Sequence, residues 1–81
     1  MNGARQASLT SERETMKSMI DIMEDISWLL RYAKNQPNPR HYAMGKHGTV
    51  YKYIAENNID KRPDKAEIAN HIRYMADKVL R

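Results

Sequence analysis

Eighty-one residues suffice for one domain with a compact core, and the absence of cysteine excludes disulfide or thiolate–metal reinforcement. Few glycines and prolines, no Phe and six Met favour helices, since long unbranched side chains lose little freedom there and no window alternates as a strand would. The net charge of +4 is concentrated in the middle third: residues 26–55 hold Arg31, Lys34, Arg40, Lys46 and Lys52 with no acid, whereas residues 1–25 are net acidic and residues 56–81 nearly balanced.

No apolar run is long enough to span a bilayer, and the start Met1-Asn2-Gly3-Ala4-Arg5-Gln6 lacks the apolar stretch of a signal peptide. The expectation is a cytoplasmic chain with no membrane partner, and the lack of cysteine fits a reducing compartment. Residues 1–8 are polar and aperiodic and read as a disordered tail, with residues 9–81 as a single helical domain.

Ser11 and Glu14 form a capping-box pattern that opens a long first helix. From there Met16, Met19, Met23, Ile26, Leu30 and Ala33 recur at three- and four-residue steps, with Ile20, Ile22 and Leu29 widening the stripe. The stripe has two readings, the inner face of a helical bundle or the seam of a homodimer through Met16, Met19, Met23, Ile26 and Leu30. A wide face accommodates both. The helix is expected to stop near Asn35, because Gln36 precedes Pro37-Asn38-Pro39.

Arg40 to Gly48 reads as a loop with one helical turn before Gly45. A second helix is expected from Thr49 to Asn57, turning Val50, Ile54 and Tyr51 or Tyr53 inward. Asn57-Asn58 makes a suitable stop, since Asn tolerates the left-handed conformation. A last helix opens at Pro63, with Asp64 and Glu67 at its positive end and Lys78 and Arg81 at its negative end. Ile68, Ile72, Met75 and Val79 line its apolar face. The expected fold is therefore all-α, a small domain of three to four helices with a long N-terminal one.

Glu67-Ile68-Ala69, followed by Ile72 and Val79, resembles the pattern of helix-turn-helix DNA-binding domains. The upstream run from Val50 to Asn58 is similar to the helix that precedes this unit in winged-helix members, so the resemblance spans residues 50–81. It implies a helix-turn-helix-like C-terminal half, with Ala76, Asp77, Lys78 and Arg81 on or near a groove-facing helix. It also implies a dimeric reader of duplex DNA. The same spacing equally fits one uninterrupted amphipathic helix, and a break around Arg73–Met75 separates the two readings.

In the middle third the cations are interleaved with Trp28, Tyr32, Tyr42, Tyr51 and Tyr53, and with His41 and His47. Cations neutralise phosphates and rings stack on bases, so this mixture suits nucleic acid. Aromatic and Arg residues also favour protein interfaces, and on the plainer reading Tyr51 or Tyr53, with or without Trp28, packs the core. The expected nucleic-acid- or partner-binding residues are Arg31, Lys34, Arg40, His41, Tyr42, Lys46, His47, Lys52, Arg73, Lys78 and Arg81.

No catalytic constellation stands out, and no cofactor is expected. His41, His47 and His71 lack the spacing and companions of a metal site, and Ser18 and Ser27, placed on helix surfaces, have no neighbouring base. Glu24-Asp25 reads as a solvated pair. Gly45-Lys46-His47-Gly48-Thr49 has neither the Gly–Lys spacing nor the preceding strand of a phosphate loop.

The leading expectation is a small, non-enzymatic DNA-binding regulator of transcription, dimeric and similar in type to bacteriophage or mobile-element accessory proteins. The alternative is a protein that binds and modulates another macromolecule, such as a polymerase, nuclease or repressor. A third reading is an RNA or single-strand binder built on the Tyr and Arg cluster.

Overall fold

A computed structural model describes residues 17–80, and among them every regular element is helical. Helix α1 spans Met19–Ala33, α2 Pro39–Met44, α3 Thr49–Glu56 and α4 Lys65–Val79, with a 3-10 turn at Ile59–Lys61. The Ser11/Glu14 capping box, Met16 and Arg81 lie outside the described residues.

Each boundary has a local cause. Ser18, expected on a helix surface, is instead the N-cap of α1: its backbone is extended and its hydroxyl accepts the Asp21 N–H at 3.1 Å. Asp21 in the first turn and Arg31 in the last complement the helix dipole. After α1 the chain reverses through Asn38, which adopts the left-handed conformation with φ 52°, and Pro39 starts α2 as a first-turn proline should. The segment expected as a loop with a single turn is thus a six-residue helix. Asn58, again left-handed at φ 52°, ends the α3 segment at the predicted stop.

Gly48, which opens α3, has no room for a side chain. A Cβ there would lie 2.3 Å from the Ala43 carbonyl oxygen, so the loop is pressed directly onto α2. Only glycine permits that approach, and the contact fixes where α3 begins.

Ile22, Ile26, Leu30 and Ala33 of α1 are fully buried against Ile68, Ile72 and Ala76 of α4. Ala43, Val50 and Ile59 close the core from α2, α3 and the 3-10 turn, and Leu80 seals its far end. The buried stripe of α1 therefore runs through Ile22, Ile26, Leu30 and Ala33. Met23 is only half-buried and Ile20, expected to widen the stripe, is 73% exposed. Ile20 precedes Ile22 by two residues, which places it about 200° around the helix, on the far side.

That phase shows which residues of the stripe the chain's own core takes up. Ile26 and Leu30, expected in a homodimer seam, are wholly enclosed by the chain's own core, and Met19 packs against that core as well. Ile26 and Leu30 serve the bundle, while Met19 and Met23 are only partly buried.

Helix α4 settles the second alternative. It runs from Lys65 to Val79 without interruption, so no turn separates Glu67-Ile68-Ala69 from Val79. The helix-turn-helix-like form expected for this segment is replaced by one amphipathic helix. Nothing at Arg73-Tyr74-Met75 breaks it, because Ile72 and Ala76 on either side are held in the core, and no Gly or Pro intervenes.

The phase of α1 is open to direct measurement. Leu30→Ala should cost about 2–5 kcal/mol of stability, as fully buried Leu truncations do, whereas Ile20→Ala should stay within about 0.5 kcal/mol. Chemical denaturation of both variants distinguishes this packing from one in which Ile20 is buried.

Candidate functional site

The acid-free segment comprises the second half of α1, all of α2 and most of α3. Its residues converge at the loop between α2 and α3. There a cavity of about 310 Å³ is lined by His41, Tyr42, Lys46, His47, Gly48, Thr49 and Lys52. Five of the expected binding residues, His41, Tyr42, Lys46, His47 and Lys52, are thereby brought to one place. Helix α2 carries His41 and Tyr42, the Gly45–Gly48 loop supplies Lys46 and His47, and Lys52 follows one turn into α3. No carboxylate lines the cavity.

Tyr42 leans against Tyr32 of α1, with ring centroids 6.2 Å apart and planes tilted by 51°. This links the cavity to an aromatic stretch of α1. Trp28 and Tyr32 are exposed, and the Arg31 guanidinium sits 5.8 Å from the Trp28 ring centroid. Trp28 and Tyr51, considered for the core, are 65% and 61% exposed respectively, while Tyr53 is half-buried and packs against the core. Trp28, Tyr32 and Tyr51 are thus on the surface, while Tyr42 and Tyr53 pack against the core.

The other expected residues stand apart from the cavity. Arg40 reaches α4, where it meets Asp77 at 3.1 Å in an exposed ion pair. Arg31 and Lys34 are exposed on and just after α1, and Arg73 and Lys78 are exposed on α4. Lys78 lies 4.7 Å over the Tyr74 ring. None of these lines the cavity.

A polar network that no sequence pattern foretold lies apart from the cavity lining. Asp25, expected to be solvated, accepts the Tyr53 hydroxyl at 2.6 Å and the Lys17 ammonium at 3.0 Å. Lys17 in turn offers its carbonyl to Arg62 at 2.6 Å, and Arg62 grips Asp64 with two parallel bonds of 2.9 and 3.0 Å. The network ties the start of α1 to α3 and to the entry of α4. No local pattern announces it, because its members lie 28 and 45 residues apart in sequence.

The network also shifts charge states. The hydrogen bond from Tyr53 holds the Asp25 carboxyl below its ordinary value, helped by the Lys17 charge and opposed by partial burial. Burial, then the bond to Asp25, pushes the Tyr53 phenol well above its ordinary value, so it stays a protonated donor. The bond between Arg62 and Asp64 lowers Asp64 and raises Arg62. Asp25 and Asp64 are therefore held as carboxylates, each paired with a cation of its own.

Two buried polar atoms have no hydrogen-bond partner among the described residues, Thr49 Oγ1 and His71 Nε2. Thr49 lines the cavity, with its Oγ1 itself enclosed. The described residues contain no cluster of three or more metal-ligating side chains and no helix long and apolar enough to cross a membrane. Comparison with protein-family models, with curated proteins and with solved structures finds no match for this chain.

Because Asp25 is lowered in the folded state, its contribution to stability is complete above the unfolded carboxylate value near 4 and is lost as the pH falls through the folded one. Asp25→Asn should therefore flatten the acid limb of the stability–pH curve. Tyr53→Phe should raise the Asp25 pKa toward its ordinary value, which a carboxyl-carbon NMR titration reads directly.

Proposed function

We propose that the chain is a non-catalytic DNA-binding protein, of the kind that regulates transcription, which grips the phosphate backbone with its basic middle segment. One observation carries the reading: an acid-free run of thirty residues gathers Lys46, Lys52, His41 and His47 around a single cavity, beside exposed rings. Cations so placed neutralise phosphates, and each phosphate neutralised releases counterions into solution. Contacts of this class position a protein on a duplex and carry little sequence information by themselves.

The unbroken α4 alters how such a protein would engage DNA. With no separate recognition helix between Arg73 and Val79, insertion of that segment into a groove loses its support. The α2–α3 loop becomes the leading contact element, and Trp28, Arg31 and Tyr32 extend the surface along α1. Asp77, which would repel a phosphate, is already engaged by Arg40.

A second reading, that the chain binds and modulates another protein, draws support from a different observation. Ile20, Trp28, Tyr32, Tyr51 and Tyr74 are all more than half exposed, and large exposed aromatic and aliphatic side chains are what protein hot spots use.

Salt dependence separates the two. Binding to random duplex DNA should weaken steeply between low and moderate salt, and Lys46→Ala and Lys52→Ala should each reduce the slope of log K against log salt by about one. A fluorescence-anisotropy series at several salt concentrations measures it. Salt-insensitive binding, or no binding at low salt, removes the DNA reading and leaves the protein-partner one.

A further inference from the structure

We propose that the outer face of α1 is the contact surface of an antiparallel homodimer, in which Glu24 of each copy pairs with Arg31 of the other and the two Trp28 rings meet beside the twofold axis. This goes beyond the DNA reading and does not depend on it.

The face is the one that the core leaves over. Ile20, Glu24, Trp28 and Arg31 follow one another at four-, four- and three-residue steps along α1, and all four are exposed. Two of them are large and apolar. The stripe of Ile22, Ile26, Leu30 and Ala33 is turned to the core, so the outer face is left uncovered by the described residues.

Its charges are sorted along the helix axis. Asp21 and Glu24 lie in the first half of α1, Arg31 near its end and Lys34 just beyond. Glu24 and Arg31 share a face but stand seven residues apart, about 10 Å along the axis. That is beyond the three- and four-residue spacing at which a helix pairs its own charges, and neither has an opposite charge at that spacing. Neither joins an ion pair among the described residues. The Arg31 guanidinium rests instead beside the Trp28 ring.

Those facts select the occupant. A face acidic at one end, cationic at the other and apolar between is complementary to itself when reversed. A twofold axis perpendicular to α1, passing between Ser27 and Trp28, reverses it. Glu24 then comes opposite Arg31 of the second copy, twice over by symmetry, and each Trp28 packs against the other. A parallel pair would set Glu24 against Glu24 and Arg31 against Arg31, which repel. A duplex fits this face less well, because Asp21 and Glu24 would meet its phosphates.

The contact is small. Helix α1 offers fifteen residues, about 22 Å of length, which puts the pair at the weak end of interfaces, below ~1,200 Å² of buried surface. The dimer is therefore a reversible, micromolar one. The α2–α3 loop lies outside the contact, so DNA binding by the dimer would keep Lys46 and Lys52 and give up Trp28 and Arg31.

The full chain without DNA provides the test. Trp28 is its only tryptophan, so emission should move to shorter wavelength over the same micromolar range in which sedimentation equilibrium shows a dimer. Glu24→Arg and Arg31→Glu should each weaken dimerisation about tenfold or more, since reversal turns two symmetric attractions into repulsions. The chain carrying both changes should dimerise again, because the exchange restores each pair. Circular dichroism should show the helix content unchanged in all three, the positions being exposed. A chain still monomeric at millimolar concentration, a dimer with unshifted Trp28 emission, or dimerisation indifferent to both single reversals would each overturn the proposal. So would a double variant as weak as the single ones. Emission of a monomeric chain that shifts only when duplex DNA is added overturns it too, and gives the face to nucleic acid. The unsubstituted chain's concentration series decides the matter even where a variant fails to fold.

Discussion

Everything in this chain depends on the apolar contact between α1 and α4. With no disulfide and no metal cluster among the described residues, stability must come from burying Ile22, Ile26 and Leu30 against Ile68 and Ile72. Ala33 and Ala76 keep the two helices close where a larger side chain would hold them apart. The α2–α3 unit contributes less to that core, chiefly Ala43 and Val50. It is attached to the scaffold rather than forming it, which frees its surface for other purposes.

The polar network then fixes how that unit sits. Asp25 Oδ2 accepts from both Tyr53 of α3 and Lys17, while Arg62 links the start of α1 to the entry of α4. The consequence for the charge distribution is direct. Asp25 and Asp64 are each matched within the network, so neither offsets the cations of the middle segment. Arg40 and Asp77 form a further pair, but at an exposed position where an ion pair contributes little to stability. What remains is a local excess of positive charge around the head of α3.

That excess and the exposed rings of α1 define two surfaces with different chemistry. The cavity offers donors and charge, which suit phosphates. The Trp28–Arg31–Tyr32 stretch offers flat area and a delocalised cation, which suit a base or another protein equally. The Tyr32–Tyr42 contact makes the two continuous.

Much of the helical plan was legible in the residues alone. Helical periodicity, the Pro37–Pro39 break, the Asn57-Asn58 stop and the acid-free middle third are local properties, set by backbone sterics and neighbouring side chains. They survive whatever the rest of the chain does. Tertiary structure decided the remainder. A stripe as wide as that of α1 admits several phases, and only the position of α4 chose Ile22 over Met23 and turned Ile20 to the outside. The apolar spacing of residues 68–79 fits one helix or two, and packing of Ile72 and Ala76 into the same core kept it whole. The partners of Asp25 and Arg62, and the cavity roofed by residues from α2 and α3, join positions distant along the chain. Such neighbours arise from the packing of elements, and no periodicity within one element encodes them.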